Sequence, residues 1–264
     1  MKTKLAINGA CGRMGQRLVA LSHEDSVFEL VAAIDARQSP GFGKDAGEVA
    51  GIGPVGVLIG EKLDLNTKPD VVIDFSTPDG SLAITRECVA RKIPIVIATT
   101  GFSDAQRDEI ATAAHETAVL ISPNFSLVVN LLFKLVTVAG KSLAGKGFDV
   151  EIVERHHRFK HDSPSGTAMH FAHLIAQEMG LSHYVHGREG LVGQRRDDEI
   201  GIHAVRAGDN VGEHTIIYSA LGETMELVHK GTSRDSYARG ALLAAKFLAN
   251  RPAGRYSMND VLGL

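Results

Sequence analysis

Leu5-Ala6-Ile7-Asn8-Gly9-Ala10-Cys11-Gly12-Arg13-Met14-Gly15 is the stretch from which the rest of the chain is read. Its first four residues form a short apolar run suited to a buried strand. Glycines follow at positions 9, 12 and 15, and then Gln16 to Ser22 has helical spacing, with Met14, Leu18, Val19 and Leu21 on one face. Strand, glycine-rich turn and helix, in that order, open a dinucleotide-binding unit. Glycine permits the tight turn and lets a pyrophosphate approach backbone N–H groups at the helix start. The spacing G-x-x-G-x-x-G is a relative of the G-x-G-x-x-G fingerprint. A second apolar strand, Glu29–Ile34, ends in Asp35. That acid lies about 20 residues beyond the last glycine, where a carboxylate can hydrogen-bond a ribose. Asp35 repels a 2′-phosphate and accepts from a free 2′-OH, which favours NADH. Arg37 and Lys44 stand close enough in sequence to reach a 2′-phosphate, so NADPH stays open.

The same alternation continues. Residues 36–69 are rich in Gly, Pro and Asp and read as irregular connection, with a short structured piece at Val55–Leu58. Val71–Ser76 is a third strand, and Thr77–Gly80 is a turn opening a helix over Ser81–Arg91. Pro94–Ala98 is a fourth strand, Ser103 caps a helix over Asp104–Thr117, and Ala118–Ile121 is a fifth strand. Strands alternating with helices imply an α/β fold with a Rossmann-type, doubly wound parallel sheet. Ligands bind such sheets at the carboxyl ends of the strands. The expected cofactor surface is therefore Gly9, Ala10, Cys11, Gly12, Arg13, Met14 and Gly15, with Asp35, Arg37, Phe75, Ala98, Thr99, Thr100, Ser122, Pro123, Asn124 and Phe125.

Leu127–Ala144 is a long helix, apolar on several faces, and is expected to be buried between domains. Beyond it the pattern changes. Phe148–Glu154 alternates like a strand with one polar face, and a helix covers 166–179, with Ser165 or a neighbour as its cap. Residues 182–199 read as a polar surface loop or arm. Ile200–Ala207, Gly212–Ala220 and Thr224–His229 are strand-like, separated by Gly208-Asp209-Asn210 and Leu221-Gly222-Glu223. Strands crowded together without helices indicate a separate C-terminal α+β domain with a mixed sheet. A helix over Ser233–Leu248 and the tail Met258–Leu262 return to the first domain. The boundaries expected are 1–127 with 237–264 for the dinucleotide-binding domain, and 128–236 for the substrate-binding domain.

The second domain contains Glu154-Arg155-His156-His157-Arg158-Phe159-Lys160-His161-Asp162-Ser163-Pro164-Ser165-Gly166-Thr167-Ala168. Its first half can donate and accept protons. Its second half is a helix start, which suits an anion such as a carboxylate. Together with a dinucleotide domain, this implies hydride transfer to or from a small acid. His156 and His157 are adjacent, so their side chains diverge and one faces the reacting carbon. Lys160 can pair with a substrate carboxylate or donate a proton, and the N–H groups of Gly166 and Thr167 can hold a carboxylate. A metal site is not expected: adjacent histidines seldom share one ion, and nearby Lys and Arg oppose a cation. Ser165 lacks the G-x-S-x-G elbow of a nucleophile. His170 and His173 read as helix surface, and His203 and His214 as strand positions without a role.

Composition narrows the field further. A net charge of −3 gives no polyelectrolyte signal for nucleic acid, and the absence of Trp with 5% aromatics argues against a base-stacking platform. No apolar run reaches the roughly 18 residues of a membrane span, and the one after Met1–Lys4 is too short for a signal peptide. Two cysteines, Cys11 and Cys88, form no disulfide framework and suit a reducing cytoplasm.

These residues together resemble the bacterial 4-hydroxy-tetrahydrodipicolinate reductases, also called dihydrodipicolinate reductases, over essentially the whole chain. Gly9–Gly15, Thr99-Thr100-Gly101-Phe102 and Asn124-Phe125-Ser126 look like that family's cofactor segments. Residues 154–168 match its signature E-x-H-H-x-x-K-x-D-x-P-S-G-T-A, and Arg206-Ala207-Gly208 and Val211-Gly212-Glu213-His214 also look like family segments. The resemblance implies an NAD(P)H-dependent reduction of (2S,4S)-4-hydroxy-2,3,4,5-tetrahydrodipicolinate to tetrahydrodipicolinate, with loss of water, in the diaminopimelate route to lysine. It implies His156 as proton donor and acceptor and Lys160 as a second donor. It also implies substrate binding by His157, Ser165, Gly166 and Thr167, and a homotetramer built through the second domain's sheet. The chain departs from the family at two places. The family often has an acid followed directly by Arg, whereas here Asp35-Ala36 puts Arg37 one place on. Ala98 stands where Gly is common before Thr-Thr. Both bear on cofactor preference.

Overall fold

The computed structural model describes residues 1–264 throughout, and the chain divides into two compact units, Met1–Leu127 with Arg234–Leu264, and Val128–Ser233. In chain order the first run of elements is β1 (Thr3–Asn8), α1 (Arg13–Glu24), β2 (Phe28–Ile34), α2 (Ala46–Val49), β3 (Ile59–Gly60), β4 (Val71–Asp74), α3 (Pro78–Arg91), β5 (Ile95–Ile97), α4 (Asp104–Ala113) and β6 (Ala118–Ile121). The second run is α5 (Leu127–Leu143), β7 (Asp149–His156), α6 (Gly166–Met179), β8 (His183–Val185), β9 (Glu199–Arg206), β10 (Gly212–Ala220) and β11 (Glu223–Gly231). The chain closes with α7 (Asp235–Leu248), β12 (Gly254–Tyr256) and α8 (Met258–Leu262).

In the first unit seven strands lie in the order β12-β6-β5-β4-β1-β2-β3, and every pairing is parallel. The order reverses between β1 and β4, which makes their carboxyl ends the switch point at which such sheets bind ligands. Residue alternation along each strand feeds two cores. Leu5 and Ile7, Val71 and Ile73, Val96, and Ala118 and Leu120 face a layer with Leu18 and Val19 of α1 and Ala241, Ala245 and Leu248 of α7. Ala6, Val72, Ile95, Ile97 and Val119 face the opposite layer with Leu82, Ile84 and Cys88 of α3 and Ile110 of α4. A strand covered on both faces has no polar face, so these segments are continuous apolar runs. The helix starts are capped as their sequences direct. Thr77 accepts from Gly80 N–H with Pro78 in the first turn, and Ser103 forms a capping box with Gln106.

The second unit holds a five-stranded sheet in the order β11-β10-β7-β9-β8, antiparallel at β11–β10 and β10–β7 and parallel at β7–β9 and β9–β8. Its core joins Val150, Ile152, Ile200, Ile202, Ile216 and Tyr218 of the sheet to Val129, Leu132 and Val136 of α5 and Phe171, Ala172 and Ile175 of α6. The Tyr218 hydroxyl donates to the Val136 carbonyl at 3.0 Å, so its one polar atom is satisfied inside that core.

Four expectations need correction. α5 is not buried all round: Val128, Leu131, Leu135 and Val138 are 51%, 41%, 39% and 52% exposed. Its apolar content covers two faces, and only one of them packs. The structured piece at Val55–Leu58 holds only an isolated antiparallel bridge, Leu58 with Asp45, and the strand proper, β3, follows it. The stretch 182–199 is not only a loop, because His183–Val185 pairs with β9. Arg188 and Arg195, from the same stretch, bind Glu151 of β7, as does His203. α4 ends at Ala113 rather than Thr117, in turns that lead directly into β6.

Candidate active site

In the first unit the glycine turn crosses the carboxyl ends of β1 and β4. Gly9 has φ +82°, and a Cβ there would lie 2.3 Å from the Phe75 carbonyl oxygen. A Cβ on Gly15 would lie 2.1 Å from the Gly9 carbonyl oxygen. No side chain fits at either position, so the loop is held flat against the sheet with α1 starting beside it. That is the cradle a pyrophosphate requires. Gly9, Cys11, Gly12, Asp35 and Phe75 line a cleft of about 450 Å³ at this place. Asp35 accepts from the N–H of Cys11 at 2.7 Å and of Ala36 at 2.8 Å, and from the Ser39 hydroxyl, which ties the glycine loop to the end of β2.

Ala10 and Gly15 are buried beneath the loop, Met14 is half-buried and Arg13 is exposed. Thr99 is buried, Ala98 is half-buried and Thr100 is exposed. Ser122 donates to the Asn124 carbonyl at 2.7 Å, Asn124 accepts from Ser126 N–H at 2.9 Å, and Pro123 is exposed. Arg37 is exposed and pairs with Glu61 at 3.2 Å. Phe125 is a core residue at this loop: it is 2% exposed, its ring packs 6.0 Å from that of Phe75, and its carbonyl lies against Gly240.

Sequence reading missed the group that organises these loops. Asp74, fully buried at the end of β4, accepts from Asn8 Nδ2 at 2.7 Å, Ser76 Oγ at 2.5 Å and Thr99 Oγ1 at 2.7 Å. One carboxylate thus joins the ends of β1, β4 and β5. The signal was available, since an acid ends an otherwise wholly apolar buried strand.

The second unit gathers the His/Lys segment. Alternation along β7 puts Val150, Ile152, Glu154 and His156 on the helix-covered face, so the face turns from apolar to titratable toward the strand's end. Cross-strand pairing sets His214 opposite Glu154, and His229 opposite His214. Glu154 is fully buried and accepts four hydrogen bonds: from His156 Nδ1 at 2.6 Å, from Arg206 at 2.8 and 2.7 Å, and from Ser165 N–H at 2.9 Å. Burial alone would raise its pKa, but the bonds from His156, Arg206 and Ser165 outweigh that and hold it at about 2. Ser165 caps α6 by accepting from Ala168 N–H and lies 3.2 Å from His214 Nε2. Burial, with His156 and His229 close by, lowers His214 to about 3, so it is neutral near pH 7. The rings of His156 and His214 meet edge to face at 5.4 Å.

Lys160 pairs with Asp162 at 2.8 Å, and that ammonium lowers the carboxyl's pKa. Lys160 N–H also bonds the His157 carbonyl at 3.1 Å. Gly166 and Thr167 form the first turn of α6 immediately after Ser165. Glu154 therefore joins His156 at the end of β7 to Ser165 at the start of α6, and Lys160 lies on the loop between them. Glu154, Arg206 and His214 are the members that sequence reading left without a role. Glu154 could have been found from period-2 spacing, because it shares a face with Val150 and Ile152.

Comparison with known proteins finds matches over both units. Residues 3–125 match the family model described as dihydrodipicolinate reductase, N-terminus, and residues 128–262 match the one described as its C-terminus. The 4-hydroxy-tetrahydrodipicolinate reductase of Rhodopirellula baltica is 49% identical, covering 98% of this chain and 96% of that one. The protein of the same name from Syntrophotalea carbinolica is 46% identical, with 99% of each covered. Among solved structures, the dipicolinate-bound dihydrodipicolinate reductase of Paenisporosarcina sp. TG-14 superposes with a TM-score of 0.77 at 28% identity, covering 97% of this chain and 98% of that one. With a glycine turn that admits no side chain, a signature folded into one polar cluster and relatives matching end to end, the chain belongs to the dihydrodipicolinate reductase family.

Proposed function

We propose that this chain reduces (2S,4S)-4-hydroxy-2,3,4,5-tetrahydrodipicolinate to (S)-2,3,4,5-tetrahydrodipicolinate, with the first unit holding NAD(P)H and the second holding the diacid. Per turnover one hydride and one proton are consumed and one water is released, so substrate, NAD(P)H and H⁺ give product, NAD(P)⁺ and water. A bound nicotinamide supplies the hydride. The protein must supply the proton and bind two carboxylates. His156 is the proton donor and Lys160 the second donor or carboxylate partner. His157, Ser165, Gly166 and Thr167 form the carboxylate site at the start of α6. The observation that carries this reading is the packing of a buried Glu154–His156 pair against the N-terminal end of α6, with Lys160 on the connecting loop.

NADH is favoured over NADPH. Asp35 and Glu61 both line the cleft, and Glu61 also pairs with Arg37 at 3.2 Å. A 2′-phosphate would meet two carboxylates there. We further propose a homotetramer assembled through the second unit's sheet, and a cytoplasmic location consistent with two free thiols. No helix is long and apolar enough to cross a membrane.

The test is NADH oxidation by purified protein when the product of the preceding synthase is supplied, run beside NADPH and a panel of other small dicarboxylates. Pyridine-2,6-dicarboxylate should inhibit. Oxidation with another diacid but not with the tetrahydrodipicolinate precursor would assign a different dehydrogenase activity. Tight NADH binding with no substrate-dependent oxidation would make the chain a dinucleotide sensor.

A further inference from the structure

We propose that Glu154 is a positioning residue that fixes the tautomer and orientation of His156, so that Nε2 is the nitrogen that delivers the proton. This rests on the reading of His156 as proton donor. The geometry leaves Glu154 no other chemical role. Each of its two oxygens accepts two hydrogen bonds: Oε1 from Ser165 N–H and Arg206 Nη2, Oε2 from His156 Nδ1 and Arg206 Nη1. An ionised carboxylate offers about four acceptor positions and no donor. All are in use, so Glu154 neither gives nor takes a proton in turnover. An acceptor-only partner at 2.6 Å requires that Nδ1 of His156 carry hydrogen. Nε2, on the far edge of the ring, is then the exchanging nitrogen. In the proton-transfer step the Nε2–H bond breaks, its electron pair stays on Nε2, and the proton passes to the substrate. His156 is left neutral with Nδ1–H still on Glu154, and solvent restores the Nε2 proton.

Arg206 and the Ser165 N–H keep this orienting group in place. The bidentate Arg206 fork fixes the carboxylate plane. Ser165 links the same carboxylate to the α6 cap, so the proton donor and the carboxylate-binding helix start share one anchor. The imidazole also packs edge to face with the neutral His214 ring, 5.4 Å between centroids.

The experiment compares Glu154→Gln, His156→Gln and the double variant Glu154→Gln/His156→Gln for kcat, substrate KM and NADH affinity, with imidazole ¹⁵N NMR on the first. The expected result for Glu154→Gln is a kcat lower by roughly 100-fold, in the range found for residues that orient a catalytic histidine. Substrate KM and NADH affinity should stay within about threefold, because α6 keeps its Ser165 cap. The His156 signal should change from a single Nδ1–H tautomer to a mixture. The double variant should be no slower than His156→Gln alone, since Glu154 acts only through that ring. A Glu154→Gln protein with near-wild-type kcat, or with its loss confined to KM, overturns the inference while leaving His156 as donor. So does a double variant far slower than His156→Gln. A fast His156→Gln protein instead removes the donor reading itself. If Glu154→Gln does not fold because Arg206 is left with a buried charge, Glu154→Gln/Arg206→Gln removes both charges and is judged by the same outcomes.

Discussion

Replacing Asp74 by Ala should loosen the cofactor cleft from beneath. The carboxylate receives three hydrogen bonds, from Asn8, Ser76 and Thr99. Two of those donors have fallbacks. Asn8 Nδ2 is also 3.1 Å from Ser76 Oγ and 3.4 Å from the Gly80 carbonyl, and Ser76 Oγ is 3.3 Å from the Thr77 carbonyl. Thr99 Oγ1 donates only to Asp74, though it also accepts from Ser76 N–H. The main cost is therefore one orphaned buried hydroxyl, about 1–3 kcal/mol, plus about 1 kcal/mol for the lost side-chain volume. A loss of about 3 kcal/mol corresponds to a melting shift of about 6–12 °C for a unit of this size. The ends of β1, β4 and β5 then no longer share an anchor, and NADH should bind about tenfold more weakly, which corresponds to about 1.4 kcal/mol. Asp74→Asn keeps the volume and one acceptor, and the two hydroxyls can accept from the new amide, so its effect should be less than half as large. Calorimetry with and without NADH, on both variants, measures each quantity. A melting temperature within about 2 °C of wild type, with unchanged NADH affinity for Asp74→Ala, would refute the reasoning.

Two further outcomes follow from the same structure. Gly15→Ala places a methyl 2.1 Å from the Gly9 carbonyl oxygen, so the protein should keep its second unit but lose NADH binding, as read by titration calorimetry and near-UV circular dichroism. Glu151 and Glu154 are both lowered from 4.5 to about 2, each by bonds from Arg and His that outweigh burial. A carboxyl depressed in the folded state stabilises above its unfolded pKa, and that stability is lost as pH falls from about 4.5 toward 2. Each contributes at most about 3 kcal/mol at neutral pH, so urea midpoints should fall steeply below pH 5, and a flat profile between pH 7 and 3 would count against both networks.

The sequence disclosed most where one physical signal dominated. β4, β5 and β6 are buried on both faces, so their apolar runs were unambiguous, and Ser103 announced a helix cap. It disclosed least where neighbours decide. β3, β8 and β12 span two or three residues and exist because β2, β9 and β6 offer them a paired edge. The helix α5 was misjudged because apolar residues occupy both its packed and its open face, and hydrophobicity alone does not say which is covered. In the candidate site, the titratable side chains and the helix start were legible as residue types in a row. Arg206 and His214 were not, because they reach Glu154 and Ser165 only through strand pairing across 52 and 49 residues.

The measurement closest to the central claim is turnover of the His156→Gln/Lys160→Ala protein set beside its NADH affinity. If these side chains deliver the proton and hold the diacid, turnover should fall by at least about 10³-fold, as when paired acid–base groups are removed, while NADH binds as in the wild type. Turnover within a few-fold of wild type, or loss of NADH binding in step with activity, would contradict it.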